Sequence, residues 1–331
     1  MTAWVRSGVL VGAPELIAEL GGDPQALAND AGIERVALAD PDFPVEVTSV
    51  VRFLELAAEA CRCETFGLRL SKKQELSLFG PLWPLFQNVP TLGALAQAVV
   101  DYFPMHTQGA LVALEPEPEG ASLVYDVAAE VGGSRRQIIE LGFGIMVAEL
   151  QRWARDWRPS DVAFRHGPPL DLRLHRQILG PEVRFNADRN ALFIEAWMLS
   201  QPNPARDAAL HASLLEDLEP RRRALPGALR LQAEIAVRAL LPFADCTLDI
   251  VARLLGTSRR TLQRRLAEDG ISFEALIDKV RADLALTYLR DSMLSVTAIA
   301  EILQFSETSA LSRAVRRWYG APPTAIRKGP A

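Results

Sequence analysis

These 331 residues are poor in cysteine, in histidine and in long apolar runs. Three cysteines, Cys61, Cys63 and Cys246, give no disulfide framework, and that scarcity points to a reducing compartment. Cys61 and Cys63 would need two more Cys or His ligands nearby to hold a metal. None lies in that segment, so both read as small buried residues. No stretch approaches the ~20 apolar residues that span a bilayer. The longest apolar-leaning run, Leu141–Leu150, is broken by Gly142 and Gly144 and flanked by charge. The first ten residues carry one arginine and lead into Gly12, Pro14 and Glu15, a poor match to a secretion signal. Catalytic patterns are missing too: no GxSxG elbow, phosphate-binding glycine loop, dinucleotide fingerprint or HExxH pair. His106, His166, His175 and His211 are scattered. His166 and His175 flank RHGPPLDLRLH beside Asp171, where an acid–base or ligand role competes with the simpler reading of hydrogen-bonded structural histidines. The expectation is a cytoplasmic, soluble, non-enzymatic chain without metal or cofactor.

What is present is enough apolar material for real cores. Hydrophobic residues make up 49% of the chain, the mean hydropathy is near zero, and the length suits two or three domains. The net charge of −5 argues by itself against nucleic acid, but its distribution does not. Residues 221–331 hold 18 Lys+Arg against 11 Asp+Glu, while the rest holds 18 against 30. An acidic body with a basic end is the pattern of a DNA-binding domain attached to a sensor.

Residues 1–75 read as helical. Short helices run from Pro14 and from Pro24, and an amphipathic helix in VTSVVRFLELAAEACRC is capped by Thr48 or Ser49, with Val51, Leu54 and Ala58 inward. FGPLWPLFQNVP reads as a proline- and aromatic-rich loop. Thr91 then caps a helix whose apolar face is Leu92, Leu95, Ala96 and Val99. GALVALEPEPEGASLVYDVAA predicts a β-hairpin. Ser134 caps a long helix ended by Pro159, and Gly142 and Gly144 inside it imply close packing. DVAFRH, VRFNA and NALFIEAWML read as strands, with LDLRLHRQIL a short helix. The fold expected for residues 1–204 is α+β, helices packed on a mainly antiparallel sheet. SQPNP marks a boundary. The helix ARDAALHASLLEDLE, within a connector over 205–226, is either a linker or dimerisation element or the last helix of the upstream domain.

Residues 227–331 read as all-helical and contain one pattern twice, at 247–268 and 295–318. In the first copy Thr247 caps a helix with Leu248, Val251, Ala252 and Leu255 inward; Gly256 turns the chain and Ser258 caps a second helix. At 100° per residue Leu262 and Leu266 face inward, with Arg260 and Arg264 opposite and Gln263 on their flank. Such a face offers bidentate donors for guanine and an amide suited to adenine. In the second copy Ser295 or Thr297 opens a helix and Gln304-Phe305 marks the turn. Leu311, Val315 and Trp318 then face inward, and Ser309, Ser312, Arg313 and Arg316 outward, with Arg317 at the edge. Between the copies, SFEALIDKVRADLALTYLRDS is one helix, long enough at ~1.5 Å per residue to place two recognition helices in successive major grooves.

TSRRTLQRRLAEDGISF and IAEILQFSETSALSRAVRRWYGAPPTAIR resemble the AraC/XylS family of bacterial transcription regulators. The resemblance implies a sequence-specific DNA-binding regulator with base readout on Arg260, Gln263 and Arg264. In the second unit it implicates Thr308, Ser309, Ser312 and Arg313, of which Thr308 lies nearer the buried side. Ser258, Arg259, Arg316 and Arg317 complete the candidate contact set. Two departures stand out: Gln304 occupies the place of the family's turn glycine, which predicts a looser or different second turn, and Leu311 and Val315 replace larger aromatic core residues. Upstream, GPLWPLFQNVPTLGALAQAVVDYFPMHT and the segments after it are similar to the non-cupin, arabinose-binding-type sensor domain of ornithine- and arginine-responsive members. That similarity implies a small-molecule effector, and Trp83, Phe86, Tyr102, Phe103 and His106 are the candidate pocket. Partners on this reading are double-stranded DNA through the major groove, the effector, and as further candidates RNA polymerase and a second copy of the chain. Alternatives are control by a protein partner, constitutive action, or an enzyme domain carrying a DNA-binding tail.

Overall fold

The computed structural model describes residues 3–107, 109–127, 134–223, 228–241, 246–291 and 294–328. They gather into two compact units, Met1–Ala228 and Leu229–Ala331. The chain break expected at Leu225-Pro226-Gly227 lies outside the described residues.

The first unit begins with β1 (Trp4–Arg6), antiparallel to β2 (Pro44–Glu46). This ribbon corrects the all-helical reading of residues 1–75; three-residue strands show too little alternation to register in sequence. Between them lie α1 (Ala13–Glu19) and α2 (Pro24–Ala31), each with proline in its first turn. In α3 (Val47–Ala60) Val51, Leu54 and Ala58 are buried as their spacing predicts, yet Glu46, not Thr48 or Ser49, stands at the N-cap. After α4 (Phe66–Ser71), the expected proline-rich loop is instead a 3-10 segment, Leu76–Leu82, running into α5 (Trp83–Gln87). Pro84 sits in the first turn of α5, where its missing N–H costs nothing. Helix α6 (Leu92–His106) starts where Thr91 accepts from the Ala94 amide at 3.1 Å.

The hairpin appears as β3 (Ala110–Glu117) and β4 (Gly120–Val127). The long helix α7 (Arg136–Trp153) ends before Pro159, at Trp153. Strand β5 (Val162–Ala163), α8 (Arg173–Leu179), β6 (Val183–Arg184) and β7 (Ala191–Glu195) follow. The strand read through NALFIEAWML stops at Glu195, because Ala196–Leu199 turns into a short helix, α9. The sheet runs β3-β4-β7-β5-β6 and is antiparallel except for the β5–β6 pair. Helix α7 is wedged between this sheet and α4. A Cβ at Gly142 would sit 2.5 Å from the Tyr125 ring of β4, and one at Gly144 would sit 2.1 Å from the Ser71 hydroxyl of α4. Both glycines are therefore demanded by close packing, as expected. Helix α10 (Ala208–Arg223) packs on α5 and α6. Its Leu218 is buried, and the Tyr102 hydroxyl donates to Glu219 at 3.2 Å.

The second unit is helical throughout its described residues. It comprises α11 (Ala228–Leu240), α12 (Leu248–Leu254), α13 (Arg259–Glu268), α14 (Phe273–Asp291), α15 (Val296–Ile302), α16 (Thr308–Tyr319) and α17 (Pro323–Lys328). Helix α14 is its spine, packing on α15, α16 and α17 and burying Leu276, Val280, Leu284 and Leu289. At ~1.5 Å per residue its 19 residues span about 28 Å. Among the described residues no helix is long and apolar enough to cross a membrane.

Candidate nucleic-acid interface and effector cavity

Local capping builds the first helix-turn-helix. Thr247 accepts from the Ile250 amide at 3.3 Å to start α12, and Ser258 accepts from the Thr261 amide at 3.1 Å to start α13. Between them the Gly256 amide donates to Arg253 at 3.0 Å and the Thr257 amide to Ala252 at 2.9 Å. Gly256 takes φ 59°, left-handed backbone that glycine adopts freely. Val251, Ala252, Leu262 and Leu266 are buried as expected; Leu254 joins them, while Leu248 and Leu255 are only half-buried.

That core aims the other face of α13 at solvent. Ser258, Arg259, Arg260, Gln263 and Arg264 are all exposed. Arg259 pairs with Asp249 at 2.8 Å, and Arg264 lies 3.8 Å from Glu268. Both pairs are exposed, so either arginine exchanges its partner cheaply. Arg260 and Gln263 have no side-chain partner among the described residues.

The second unit repeats this construction at its first helix only, since Glu307 at the N-cap of α16 makes no side-chain cap. Ser295, not Thr297, caps α15, accepting from the Ala298 amide at 3.0 Å. The turn expected to be looser or different is neither. Gln304 adopts φ 57°, its amide donates to Glu301 at 3.0 Å, and the Phe305 amide donates to Ala300 at 2.8 Å, matching the first turn bond for bond. A left-handed non-glycine residue is strained, and here the surroundings hold it. The Gln304 side chain donates to the Leu241 carbonyl at 2.8 Å, and Arg281 donates to the Gln304 carbonyl at 3.3 Å. The Arg281 guanidinium also lies 5.0 Å from the centre of the Phe305 ring.

Leu311 and Val315 are fully buried and Trp318 is half-buried, its ring 6.2 Å from Phe305, so aromatic packing comes from outside the first turns of α16. Ser309, Arg313, Arg316 and Arg317 are exposed; Thr308 and Ser312 are half-buried. Arg313 lies 3.4 Å from Glu307 and donates to Ser309 at 3.2 Å. Arg317 pairs with Asp278 of α14 at 2.5 Å, and Asp278 also accepts from the Trp318 indole at 2.9 Å. Thr308 is tied to Thr297 at 3.4 Å.

The first unit holds a cavity of about 110 Å³ between the sheet, α6 and α7. The apolar face of α6 read from the sequence, Leu92, Leu95, Ala96 and Val99, forms one wall. Ile138, Leu141, Gly142 and Ile145 of α7 form another, and Leu123, Tyr125 and Ile194 supply the floor. Of the five residues expected to make a pocket, Phe103 and His106 line it. Trp83, Phe86 and Tyr102 do not: Phe86 is buried edge-on against Phe79, and Tyr102 faces α10.

Among the described residues, three lining side chains carry ionisable groups: His106, Tyr125 and Glu149. Burial, and then the nearby Arg6 charge, push His106 down to about 3, so its imidazole is neutral. Its Nδ1 is buried and has no partner among the described residues. Burial chiefly, with Asp126 adding, raises the Tyr125 phenol so that it keeps its proton. Burial also raises Glu149, which Arg152 partly offsets.

The proposed enzyme alternative turned on His166, Asp171 and His175. His175 meets Glu140 at 2.9 Å and His166 approaches the same oxygen at 3.6 Å. Arg136 donates to that oxygen as well, at 2.9 Å. Asp171 is not part of this cluster; it is exposed and chelated by Arg173 at 2.7 Å. His175 and Glu140 are fully buried, so this is an interior polar knot joining α7 to α8, and sequence spacing gave no sign of Glu140. Among the described residues no group of three His, Cys, Asp or Glu could hold a metal ion.

Comparison with known proteins matches both units. Residues 21–203, more than half of the chain, match the arabinose-binding N-terminal domain of AraC transcription regulators, and residues 251–329 match a helix-turn-helix domain. The chain is 28% identical over 330 residues to the HTH-type transcriptional regulator VirS of Mycobacterium tuberculosis, covering 98% of this chain and 96% of that one. It is likewise 28% identical over 335 residues to the ornithine utilization regulator of Pseudomonas aeruginosa, covering 96% and 94%. The crystal structure of the transcriptional regulator CdpR from Pseudomonas aeruginosa aligns over 80% of this chain and 86% of that one at 21% identity and a TM-score of 0.40. With an arabinose-binding-type domain followed by a helix-turn-helix domain, the chain belongs to the AraC family of DNA-binding transcription regulators.

Proposed function

We propose that this regulator reads base sequence mainly through α13 and uses α16 mainly to hold the domain on the DNA backbone. Arg260, Gln263 and Arg264 reach base edges in the major groove, with Ser258 and Arg259 at the phosphates beside them. In α16, Ser309, Ser312, Arg313 and Arg316 meet phosphate, with Thr308 and Arg317 at the margins. The carrying observation is the state of Arg260 and Gln263: exposed, on a capped helix, and among the described residues without a side-chain partner. On α16, Arg313 and Arg317 form exposed pairs with Glu307 and Asp278, as Arg259 and Arg264 form exposed pairs with Asp249 and Glu268 on α13. Phosphate contacts make affinity salt-dependent, and base contacts make it specific.

Control comes from an effector in the cavity of the N-terminal region, residues 1–204, with 205–226 joining it to the DNA-binding region at 227–331. Binding of such a ligand shifts the balance between a DNA-competent state and another one. A catalytic role finds no support in the buried histidine knot, which offers no open cleft. RNA polymerase and a second copy of the chain remain candidate partners. In a footprint on the DNA flanking its own gene, the Arg260→Ala/Arg264→Ala double variant is expected to lose the protected site. Retention of that site by the variant would show that α13 does not read bases.

A further inference from the structure

Resting on the reading of the cavity as the effector site, we infer that its ligand is an uncharged, mostly apolar molecule about one ring in size, anchored by a single hydrogen-bonding group at His106. Size comes first. A dry cavity of ~150 Å³ lined by Leu, Ile and Phe accepts a benzene molecule, and this one measures about 110 Å³. It therefore suits an aromatic ring or a short branched chain.

Charge comes second. An ion buried among Leu95, Val99, Leu141 and Ile145 loses several kcal/mol of hydration unless a counter-charge replaces it. Among the described residues the lining offers no such counter-charge to an anion: His106 is neutral, the Tyr125 phenol keeps its proton, and no arginine or lysine lines the space. An amino acid needs both signs at once. Glu149 is the one carboxyl in the lining, and Arg152 lies 3.7 Å from it, so a cation would have to compete with that arginine.

Polarity comes third. His106 brings a neutral imidazole to a cavity wall that is otherwise almost wholly apolar, a polar group that costs free energy until something bonds to it. A ligand hydroxyl or carbonyl satisfies it, because a neutral imidazole nitrogen donates or accepts according to tautomer. Tyr125 supplies a second neutral donor from the floor.

The test uses four ring compounds that differ mainly in charge: benzyl alcohol, benzylamine, benzoate and L-phenylalanine, each titrated against the full chain while thermal unfolding is followed. Benzyl alcohol is expected to raise the midpoint by roughly 2–4 °C in a concentration-dependent way. The other three leave it unchanged at equal concentration. Ala96→Leu fills the cavity with an apolar side chain, and this variant is expected to fold and to lose the response to benzyl alcohol. A shift by benzoate, benzylamine or phenylalanine that Ala96→Leu abolishes would overturn the uncharged class while leaving the cavity as the effector site. A benzyl alcohol shift that survives in Ala96→Leu, or no shift with any of the four, would overturn the inference. The effector reading itself is read separately, from whether Ala96→Leu fixes a promoter reporter in one state in growing cells.

Discussion

The two helix-turn-helix units share one backbone design and differ in what is free to act. Their turns superimpose in φ, 59° at Gly256 and 57° at Gln304, and in every turn hydrogen bond. Glycine meets the left-handed requirement without cost in the first unit. In the second, Gln304 meets it under strain, clamped by the Leu241 carbonyl and by Arg281. The second turn is thus bolted into its own domain, and two of the arginines on α16 are likewise engaged within it. The first unit pairs Arg259 and Arg264 internally and, among the described residues, leaves Arg260 and Gln263 without a side-chain partner. On the proposed reading the repeated motif divides its work, with readout in one copy and anchoring in the other.

The largest effect should come from the cores, where the comparison predicts equality. Leu262 and Leu311 are both fully buried at corresponding positions. Leu262→Ala and Leu311→Ala should each cost about 2–5 kcal/mol, read as faster hydrogen exchange in α12–α13 or α15–α16 respectively. A much smaller cost for Leu311→Ala would restore the looser second unit suggested by its smaller side chains.

The turns should give a smaller and asymmetric effect. Gly256→Gln imposes a left-handed glutamine with no clamp and should destabilise by about 1–2 kcal/mol in urea unfolding. Gln304→Gly relieves the strain but leaves the Leu241 carbonyl without its amide donor. The two changes should nearly cancel, to within about 1 kcal/mol. Equal losses from both variants would mean that the clamp contributes nothing.

Sequence was most legible where the physics is local. Thr91, Thr247 and Ser258 were identifiable as caps, and Ser295 as one of two candidates, because capping depends on residues within one turn. Gly142 and Gly144 announced a close approach, although not what approached. The short helix Trp83–Gln87 was hidden by its prolines, and Ala196–Leu199 by an apolar run that suits either strand or helix. The cavity was half visible: the α6 wall showed as periodicity, but its floor comes from Leu123, Tyr125 and Ile194, which sequence cannot bring together. The second turn was misjudged because its stability resides in Leu241 and Arg281, far from it in sequence.

Binding-site selection from randomised DNA, run in parallel with wild type, Arg260→Ala and Arg313→Ala, tests the division of labour most directly. Arg260→Ala is expected to lose base preference at one or two positions, about 1–3 kcal/mol of discrimination, with non-specific affinity nearly intact. Arg313→Ala is expected to weaken all sequences alike and to keep the selected motif. The reverse pattern, a motif altered by Arg313→Ala and untouched by Arg260→Ala, would contradict the account.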